Sequence, residues 1–575
     1  MNKEEFFWLK NYPEDIPTQI DIPDVPLFDF MEQAARKHPS QTAIIFMGLK
    51  MTYSQLKDST DRFATALHSM GVTKGDRVAI MLPNCPQAVI AYFAVIRLGA
   101  VAVMTNPLYM ERELSHQLRD SQAETIIFLD ALHSKVLKVV PNTNVKNIIV
   151  TGIKDYLPFP LCCLYPIKAK KQGMDLNVPP DEKILKFKDL IKNNSPAPPR
   201  VEIDSEKDLA LLQYTGGTTG LSKGAMLTHK NLVANALQVK AWFPDCQEAE
   251  ERMLCVLPFF HVFGMTVAMN LTISISSTMI LVPRFEIDTV LKQINKHKPT
   301  LFPGAPTMYV AVISHPDVKK YNISSIKVCI SGAAPLPVEV QEKFEAMTGG
   351  KLVEGYGLTE SSPVTHCNPI YGKRLAGSIG QPLPNTNMKV MDSDLGTQEM
   401  SMGEVGELCI QGPQVMKGYW NMPEETAKTL RDGWLYTGDM ARISEDGFTY
   451  IVDRKKDMVI AGGYNIYPRE VEEVLYEHPK VKEAVVAGVP DAYHGEALKA
   501  YCVLKEGETA TDKDIMEFCK QNLAKYKVPR VVEFRDELPK TMVGKILRRV
   551  LVEEEKAKIS GEKDKLDETA ASKDK

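Results

Sequence analysis

The amino-acid sequence predicts an α/β protein with a large N-terminal domain and a small α+β domain at its C-terminal end. Its 575 residues are too many for one hydrophobic core. Over the first 200 residues, short apolar runs alternate with helix-like stretches, as in layered sheets and helices. The composition then changes around 453–475. We therefore predict domains at 1–453 and 454–552, followed by a charged tail at 553–575 that we expect to be disordered.

The individual elements follow from the spacing of the apolar residues. VAIML (78–82) and TIIFL (125–129) predict buried strands, whereas YSQLKDSTDRFATALHSM (53–70) has the pattern of a helix. In the smaller part, Pro468 is well placed at the first position of a helix. Beyond it, VKEAVVAGVP and LKAYCVLKEG predict strands, and DKDIMEFCKQNL predicts a helix.

Composition and charge exclude several classes of protein. The chain is 44% apolar and 25% charged, as in soluble globular proteins. Its 69 Lys and Arg nearly balance 73 Asp and Glu, which argues against nucleic-acid binding through bulk charge. The ten cysteines form no C-x-x-C pair, so we expect neither a disulfide framework nor a zinc site. The N-terminal residues lack the apolar run of a signal peptide, and a cytoplasmic location is expected.

Two apolar segments raise the question of membrane contact. Residues 259–283 carry no charged side chain over about the length of a bilayer crossing. However, Asn270 and a Thr/Ser-rich centre favour a buried helix over about 264–274 and a buried strand that ends at Pro283. Residues 155–171 form an apolar loop that prolines interrupt, followed by three lysines. Such a loop either lies on a membrane interface, on the inner face, or packs against its own domain.

The stretch YTGGTTGLSKG at 214–224 is a candidate phosphate-binding loop. It is not a P-loop, because Ser222 stands where that motif needs glycine before its lysine, Lys223. The flanking stretches DLALLQY and KGAMLTH predict strands, whereas a P-loop leads into a helix. Backbone N–H groups, threonine hydroxyls and Lys223 can surround a polyphosphate. Taken alone, the pattern fits an ordinary hairpin equally well.

Further motifs give this loop a context. They are SGAAPLP (331–337), EGYGLTE (354–360), GWLYTGD (433–439), DRKKDMV (453–459) and PKTMVGKILRR (539–549). In this order, the set resembles the adenylate-forming superfamily of acyl-CoA synthetases, peptide-synthetase adenylation domains and beetle luciferases. The resemblance covers the whole chain except the tail and implies the adenylate-forming fold. NPLYMEREL, VDRKKDM and PKTMVGKILRR are most similar to bacterial long-chain fatty acid–CoA ligases.

The resemblance implies a nucleotide site with three parts. The β- and γ-phosphates are expected at Thr215, Gly216, Gly217, Thr218, Thr219, Gly220 and Lys223. The adenine is expected at Ser331, Gly332, Ala333, Ala334, Glu354, Gly355, Tyr356 and Gly357, with the ring of Tyr356 stacked on the base. The ribose hydroxyls are expected at Asp439, with a further contact from Arg454, and a carboxylate suits them because it accepts hydrogen bonds from both.

The resemblance also implies the catalytic groups. Thr359 approaches the α-phosphate, Glu360 helps to hold Mg²⁺, and Lys545 bridges the acyl carboxylate and the α-phosphate. One carboxylate suits Mg²⁺, which takes most of its remaining ligands from phosphate and water. A lysine can neutralise the charge that develops when two anions meet. His261, in LPFFHVFG, either controls access of the thiol or is an ordinary core histidine.

The implied reaction has two half-reactions. A long-chain fatty acid and ATP give acyl-AMP and pyrophosphate, and coenzyme A then gives acyl-CoA and AMP. Members of the superfamily rotate the small domain between these steps, with Lys456 expected at the hinge and Gly462 and Gly463 lining the coenzyme A passage. The alternatives are a medium-chain or aryl acid–CoA ligase and a fatty acyl-AMP ligase that loads a carrier protein. Homodimer formation stays open.

Overall fold

The computed structural model describes residues 6–215, 222–393, 396–461, 464–491, 495–541 and 546–558. Contacts within the chain divide it into two compact units, each of which is discontinuous in sequence. Unit 1 contains Met1–Met388, Ile410–Leu435 and Asp446–Phe448, and unit 2 contains Lys389–Cys409, Tyr436–Glu445 and Thr449–Lys575. The domain boundary between 453 and 454 stays a prediction.

The largest sheet lies in unit 1 and has eight strands. Six of them pair in parallel, and two antiparallel strands extend one edge. The apolar strands are buried because helices cover the sheet; the helix Pro86–Arg97, for example, has almost no exposed residue. In order across the sheet, the strands are Gly418–Tyr419, Lys223–Thr228, Leu209–Thr215, Val101–Met104, Arg77–Met81, Thr125–Leu129, Asn147–Thr151 and Ile184–Lys186.

Unit 1 also contains two four-stranded sheets, and all their strands lie in its first segment, Met1–Met388. Single bridges from Leu301 to Met253 and to Val328 join them edge to edge. The first sheet has the order Arg252–Cys255, Thr278–Leu281, Thr42–Phe46 and Leu49–Thr52. The second has the order Val328–Ser331, Lys351–Gly357, Val364–Cys367 and Gln381–Pro382.

Two five-stranded sheets account for the remaining strands. One consists of Asn387–Met391, Gly406–Gln411, Trp434–Ile443, Leu430–Arg431 and Thr449–Arg454. The other, in unit 2, consists of Tyr464–Ile466, Val459–Ala461, Gly495–Leu504, Val481–Asp491 and Val531–Phe534. The core of the latter sheet is formed with two helices, Pro468–Glu477 and Asp512–Asn522.

The other α-helices surround the sheets of unit 1. Two of them begin with a full capping box, in which Thr52 or Thr228 caps the first turn. These helices are Asp29–Lys37, Tyr53–Ser69, Glu111–Ser121, His133–Val139, Leu161–Lys171, Phe187–Asn193, His229–Trp242, Leu271–Ser274, Ile287–His297, Pro306–Ile313, Val338–Thr348 and Pro423–Thr429. In unit 2, residues 548–558 are also helical, so the helix continues six residues into the predicted tail. Residues 559–575 lie outside the described part.

Most predicted elements are confirmed. The predicted helix at 53–70 is Tyr53–Ser69, the strand at 125–129 is Thr125–Leu129, and Pro468 begins a helix. In the segment 259–283, which carries no charged side chain, a π-helix at Gly264–Asn270 leads into a short α-helix and then the buried strand Thr278–Leu281. No helix in the described part of the chain is long and apolar enough to cross a membrane.

One prediction about secondary structure is wrong. Residues 155–171 were expected to form a loop, but Leu161–Lys171 is a helix with Pro166 in its interior. The prolines at 158 and 160 precede this helix, so only Pro166 disturbs its hydrogen bonds. The lost backbone hydrogen bond is tolerated because the helix lies on the surface, where water can satisfy the freed carbonyl group.

Candidate active site

The Gly/Thr loop joins two antiparallel strands, as the sequence predicts. Leu209–Thr215 pairs with Lys223–Thr228, and Thr215 lies opposite Lys223. The loop residues Gly216, Gly217, Thr218, Thr219 and Gly220 fall outside the described residues. Both ends of the loop are therefore brought together where these two neighbouring strands of the eight-stranded sheet end.

The helix Glu111–Ser121 supports both ends of this loop. The Tyr214 hydroxyl donates to Asp120 Oδ2 at 2.6 Å, and His116 Nε2 lies 3.1 Å from the carbonyl oxygen of Ser222. Burial raises the pKa of Tyr214 far above its usual value, so this hydroxyl keeps its proton and acts as the donor. Residues at both ends of the loop are therefore held by this helix.

Lys223 makes an ion pair at the start of its strand. Its Nζ lies 2.6 Å from Glu425 Oε2. The hydrogen bonds from Lys223 and Lys428 lower the pKa of Glu425 to about 2. The Lys223 ammonium is only partly exposed, and a phosphate would meet it with its charge balanced by this carboxylate.

Glu360 lies in a short 3₁₀ turn, Thr359–Ser361, in which both Thr359 and Glu360 are half-buried. Glu360 Oε1 accepts a hydrogen bond of 2.7 Å from the Tyr419 hydroxyl. Burial and the Glu360 charge raise the pKa of Tyr419, which therefore remains a donor. Within the described residues, no three His, Cys, Asp or Glu side chains cluster as a metal site. A single carboxylate fits Mg²⁺ that arrives with phosphate oxygens and water.

The two motifs expected around adenine lie on neighbouring strands. Val328–Ser331 and Lys351–Gly357 pair in parallel, with Ser331 opposite Glu354. Ser331 Oγ is buried and has no hydrogen-bond partner within the described part of the chain, which suits a polar ligand group. Ala333 has a φ of 69°, a left-handed conformation that is uncommon for a residue with a side chain. Ala334, next to it, is half-buried.

Tyr356 lies on the same strand and is half-buried. Its ring contacts that of His366 edge to face, with centroids 6.1 Å apart. The flanking glycines allow close packing, since a Cβ at Gly355 would lie 2.8 Å from Ile330 and one at Gly357 would lie 2.0 Å from the Pro363 carbonyl oxygen. The Tyr356 ring is thus packed against His366 beside a closely packed backbone.

His261 lies just before the π-helix and is half-buried. Its Nδ1 accepts a hydrogen bond of 3.3 Å from the backbone N–H of Phe263. The Phe263 ring occupies the space beside Gly332, where a Cβ would approach it to 2.9 Å. The His261 segment therefore contacts the predicted adenine loop directly, and π-helical turns are frequent at functional sites.

The predicted ribose contacts lie together in unit 2. Asp439 pairs with Arg454 across two antiparallel strands, and Arg454 Nε is 3.5 Å from Asp439 Oδ1. Asp439 is buried. Lys456 follows in a turn. The remaining predicted residues of this unit, Gly462, Gly463 and Lys545, fall outside the described residues.

Sequence reasoning missed four residues that contact the ends of the predicted phosphate loop or Glu360. Tyr419 and Glu425 belong to the stretch GYWNMPEET (418–426), in which a short strand leads into a helix that begins at Pro423. This stretch lies outside the motifs that carry the resemblance. Its clearest signal in the sequence is Gly418 followed by two aromatic residues. The other two residues are His116 and Asp120.

Comparison with known proteins shows the family of the chain. The model of the AMP-binding enzyme family matches residues 31–420, and the model of its C-terminal domain matches residues 470–545. The chain belongs to the AMP-binding enzyme family. Two relatives of this AMP-binding enzyme are both named long-chain-fatty-acid–CoA ligase. That of Bacillus subtilis is 52% identical over 95% of this chain and 98% of its own length, and that of Escherichia coli O157:H7 is 40% identical over 96% and 99%.

Solved structures show the same fold. The anthranilate CoA ligase AuaEII in complex with anthranoyl-AMP superposes with a TM-score of 0.83 at 27% identity, covering 94% of this AMP-binding enzyme and 99% of that chain. ATP-bound MatB from Rhodopseudomonas palustris superposes with a TM-score of 0.80 at 30% identity, covering 92% and 99%. The α/β adenylate-forming fold predicted from the sequence is confirmed.

Proposed function

We propose that this AMP-binding enzyme activates a long-chain fatty acid with ATP and transfers the acyl group to coenzyme A. In the first half-reaction, a carboxylate oxygen attacks the α-phosphorus and pyrophosphate leaves with the electrons of the broken P–O bond. In the second, the thiol of coenzyme A attacks the acyl carbon, its proton is lost, and AMP leaves. The long-chain substrate is supported by the names of relatives up to 52% identical over nearly the full chain.

One observation supports this function most strongly. Lys223, from the phosphate loop, and Glu360, from the EGYGLTE motif, both contact the side chain of Tyr419. A cation for phosphate and a carboxylate for Mg²⁺ thus lie at one place, although 137 positions separate them (360 − 223). Pyrophosphate departs from the α-phosphorus with additional negative charge, which Lys223 and a Mg²⁺ ion held by Glu360 would neutralise.

The chain's own residues have distinct roles in this scheme. Lys223 and the threonines of the loop bind the β- and γ-phosphates, and Tyr356 stacks on the adenine. Asp439 accepts from the ribose hydroxyls. Thr359 and Lys545 act at the α-phosphate, where Lys545 neutralises charge as the carboxylate attacks. Bound Mg²⁺, held through Glu360, supplies charge neutralisation on the phosphates.

Turnover across a series of acids tests this proposal. AMP formation in the presence of ATP and coenzyme A is measured for linear acids from hexanoate to eicosanoate and for benzoate. We expect the highest kcat/KM for the long-chain acids and acyl-CoA as the product. A maximum at hexanoate or benzoate contradicts the long-chain assignment. Formation of acyl-AMP without acyl-CoA indicates instead an enzyme that loads a carrier protein.

We also propose a peripheral contact between unit 1 and an anionic lipid surface. Four large apolar side chains around the helix Leu161–Lys171 are exposed to solvent: Phe159 by 84%, Leu161 by 43%, Leu164 by 53% and Ile167 by 58%. Leu161, Leu164 and Ile167 follow one another at three-residue intervals, so they lie on one side of the helix.

Charge supports a lipid surface as the partner. Lys168, Lys170 and Lys171 end the same helix and are exposed, and each can gain about 1 kcal/mol near an anionic leaflet. An apolar helix face with a basic flank is typical of interfacial helices. A long-chain fatty acid partitions into bilayers, so this contact would place the enzyme where its proposed substrate is concentrated.

Flotation with lipid vesicles tests this contact. The double variant Phe159→Ser/Leu164→Ser should float with anionic vesicles at least about fivefold less than the wild type, because it loses two exposed apolar groups that would insert into the lipid surface. The control Leu108→Ser/Met110→Ser changes two side chains of similar exposure elsewhere in unit 1 and should float as the wild type does. Equal flotation of the wild type and the first variant contradicts the proposed contact.

A further inference from the structure

We infer that Tyr419 is a positioning residue that holds Glu360 and Lys223 apart and oriented toward the phosphates. This inference rests on the proposed function, because it concerns the same site. Tyr419 is 7% exposed and belongs to the strand Gly418–Tyr419, at the edge of the eight-stranded sheet. Its two chemical parts contact two residues of opposite charge.

The contacts of Tyr419 are specific to each part of the side chain. The hydroxyl donates to Glu360 Oε1 over 2.7 Å. Lys223 Nζ lies 5.1 Å from the centroid of the ring, within the range of a cation–π contact. The ring therefore lies beside the ammonium group while the hydroxyl holds the carboxylate.

Such an arrangement solves an electrostatic problem. A lysine and a glutamate in direct contact attract each other strongly near a protein surface. A direct pair between Lys223 and Glu360 would neutralise the carboxylate that Mg²⁺ requires. Here Lys223 pairs with Glu425 instead, at 2.6 Å. Glu360 accepts from a neutral hydroxyl, which orients the carboxylate and leaves its negative charge in place.

The backbone on both sides of Tyr419 is itself fixed. The Tyr419 N–H donates to Thr426 Oγ1 at 2.8 Å, and the Trp420 N–H donates to the carbonyl of Gly224 at 2.8 Å. The Met416 N–H donates to the Glu360 carbonyl at 2.8 Å, so the two segments are also joined through the backbone. Because its backbone is fixed, the Tyr419 side chain can orient the Glu360 carboxylate through their hydrogen bond.

The substitution Tyr419→Phe separates the two contacts. It keeps the ring beside Lys223 and removes only the hydrogen bond to Glu360. Loss of a group that orients a metal-binding carboxylate weakens metal binding by about tenfold or more. We expect the same loss for the divalent cation in the nucleotide complex. Binding of the nucleotide without a divalent cation should change less than about twofold, because the Lys223 contacts remain.

Binding of Mn²⁺ provides a readout that does not depend on turnover. Free Mn²⁺ is measured by electron paramagnetic resonance with the full chain and α,β-methylene-ATP, which cannot release pyrophosphate. The Mn²⁺ dissociation constant should rise about tenfold in Tyr419→Phe. The matched control is Tyr12→Phe, since the buried Tyr12 hydroxyl donates to the Pro382 carbonyl at 2.9 Å and should leave Mn²⁺ binding within about twofold.

A double-variant cycle shows whether the effect passes through Glu360. In a Glu360→Gln background, the further change Tyr419→Phe should alter Mn²⁺ binding by less than about twofold. An undiminished tenfold loss in that background overturns the inference, as does wild-type Mn²⁺ binding by Tyr419→Phe alone. If the wild type itself binds no Mn²⁺–nucleotide complex, the proposed function fails rather than the role of Tyr419.

Discussion

Lys545 is the residue on which the first half-reaction depends most in this scheme. The attacking carboxylate and the α-phosphate are both anions, so a cation between them lowers the barrier as the new bond forms. In the second half-reaction, the thiol meets a neutral acyl carbon, and the same cation has little to neutralise. One residue thus has a large effect on one step and a small effect on the other.

Lys545→Ala should therefore separate the two half-reactions. We expect the exchange of pyrophosphate into ATP to fall by at least about a hundredfold. Thioester formation from supplied acyl-AMP should fall much less. The control is Lys540→Ala, because Lys540 lies in the same segment and its Nζ pairs with Glu483 at 2.6 Å. An equal loss in both assays for Lys545→Ala contradicts its assigned role.

At the scale of elements, the last described helix of unit 2 is held by a cluster of charges. Arg548 donates to Asp457 Oδ2 at 2.8 Å and to Glu472 Oε1 at 2.6 Å, and its Nη1 lies 3.6 Å from Asp453. Burial raises the pKa of Asp453, whereas Arg548 opposes that rise. The helix that follows Lys545 is therefore joined to Pro468–Glu477 and to the strand Thr449–Arg454.

Arg548→Met should destabilise the protein because it leaves these carboxylates without their cation. We expect a loss of about 3 kcal/mol in the free energy of unfolding, measured by chemical denaturation of the full chain. Arg549→Met is the matched control, since the neighbouring Arg549 is half exposed and contacts only Glu553 at 3.5 Å among the ion pairs of the described residues. Its effect should stay below about 0.5 kcal/mol. Similar losses for the two variants contradict a specific role for the cluster.

The elements also show what the sequence can and cannot predict. Strands such as Thr125–Leu129 were predictable because a continuous apolar run between turn residues has few alternatives. The helix Leu161–Lys171 was not, because Pro166 argues locally against a helix, and the sequence does not show that this segment lies on the surface, where water can satisfy the freed carbonyl group. Tyr419 was not predictable either. Its contact with Glu360 joins residues 59 positions apart, and no local pattern reports such a contact.

For the whole molecule, the scheme requires that the small domain change its orientation between the half-reactions. Arg548 contacts residues on both sides of the proposed hinge at Lys456. Asp457 lies beyond it, at 2.8 Å, and Asp453 lies before it, at 3.6 Å. A rotation about Lys456 would break the contact of Arg548 with Asp453 and keep its contact with Asp457.

Lys456→Pro tests the hinge. Proline fixes φ near −65° and removes the N–H group, so the backbone at this position loses much of its range. We expect one half-reaction to persist and the other to fall by at least about tenfold. Lys456→Ala removes the side chain but leaves rotation about φ possible, so this variant should retain both half-reactions. If both also survive in Lys456→Pro, the hinge lies elsewhere.

The central claim is that the fatty acid carboxylate attacks the α-phosphorus of ATP, and oxygen transfer tests this most directly. A long-chain fatty acid labelled with heavy oxygen in its carboxylate is converted to acyl-CoA, and the products are analysed by mass spectrometry. The account predicts one labelled oxygen in AMP and none in pyrophosphate, since the attacking oxygen stays on the α-phosphorus. Labelled inorganic phosphate together with ADP would place the attack on the γ-phosphorus and contradict the account.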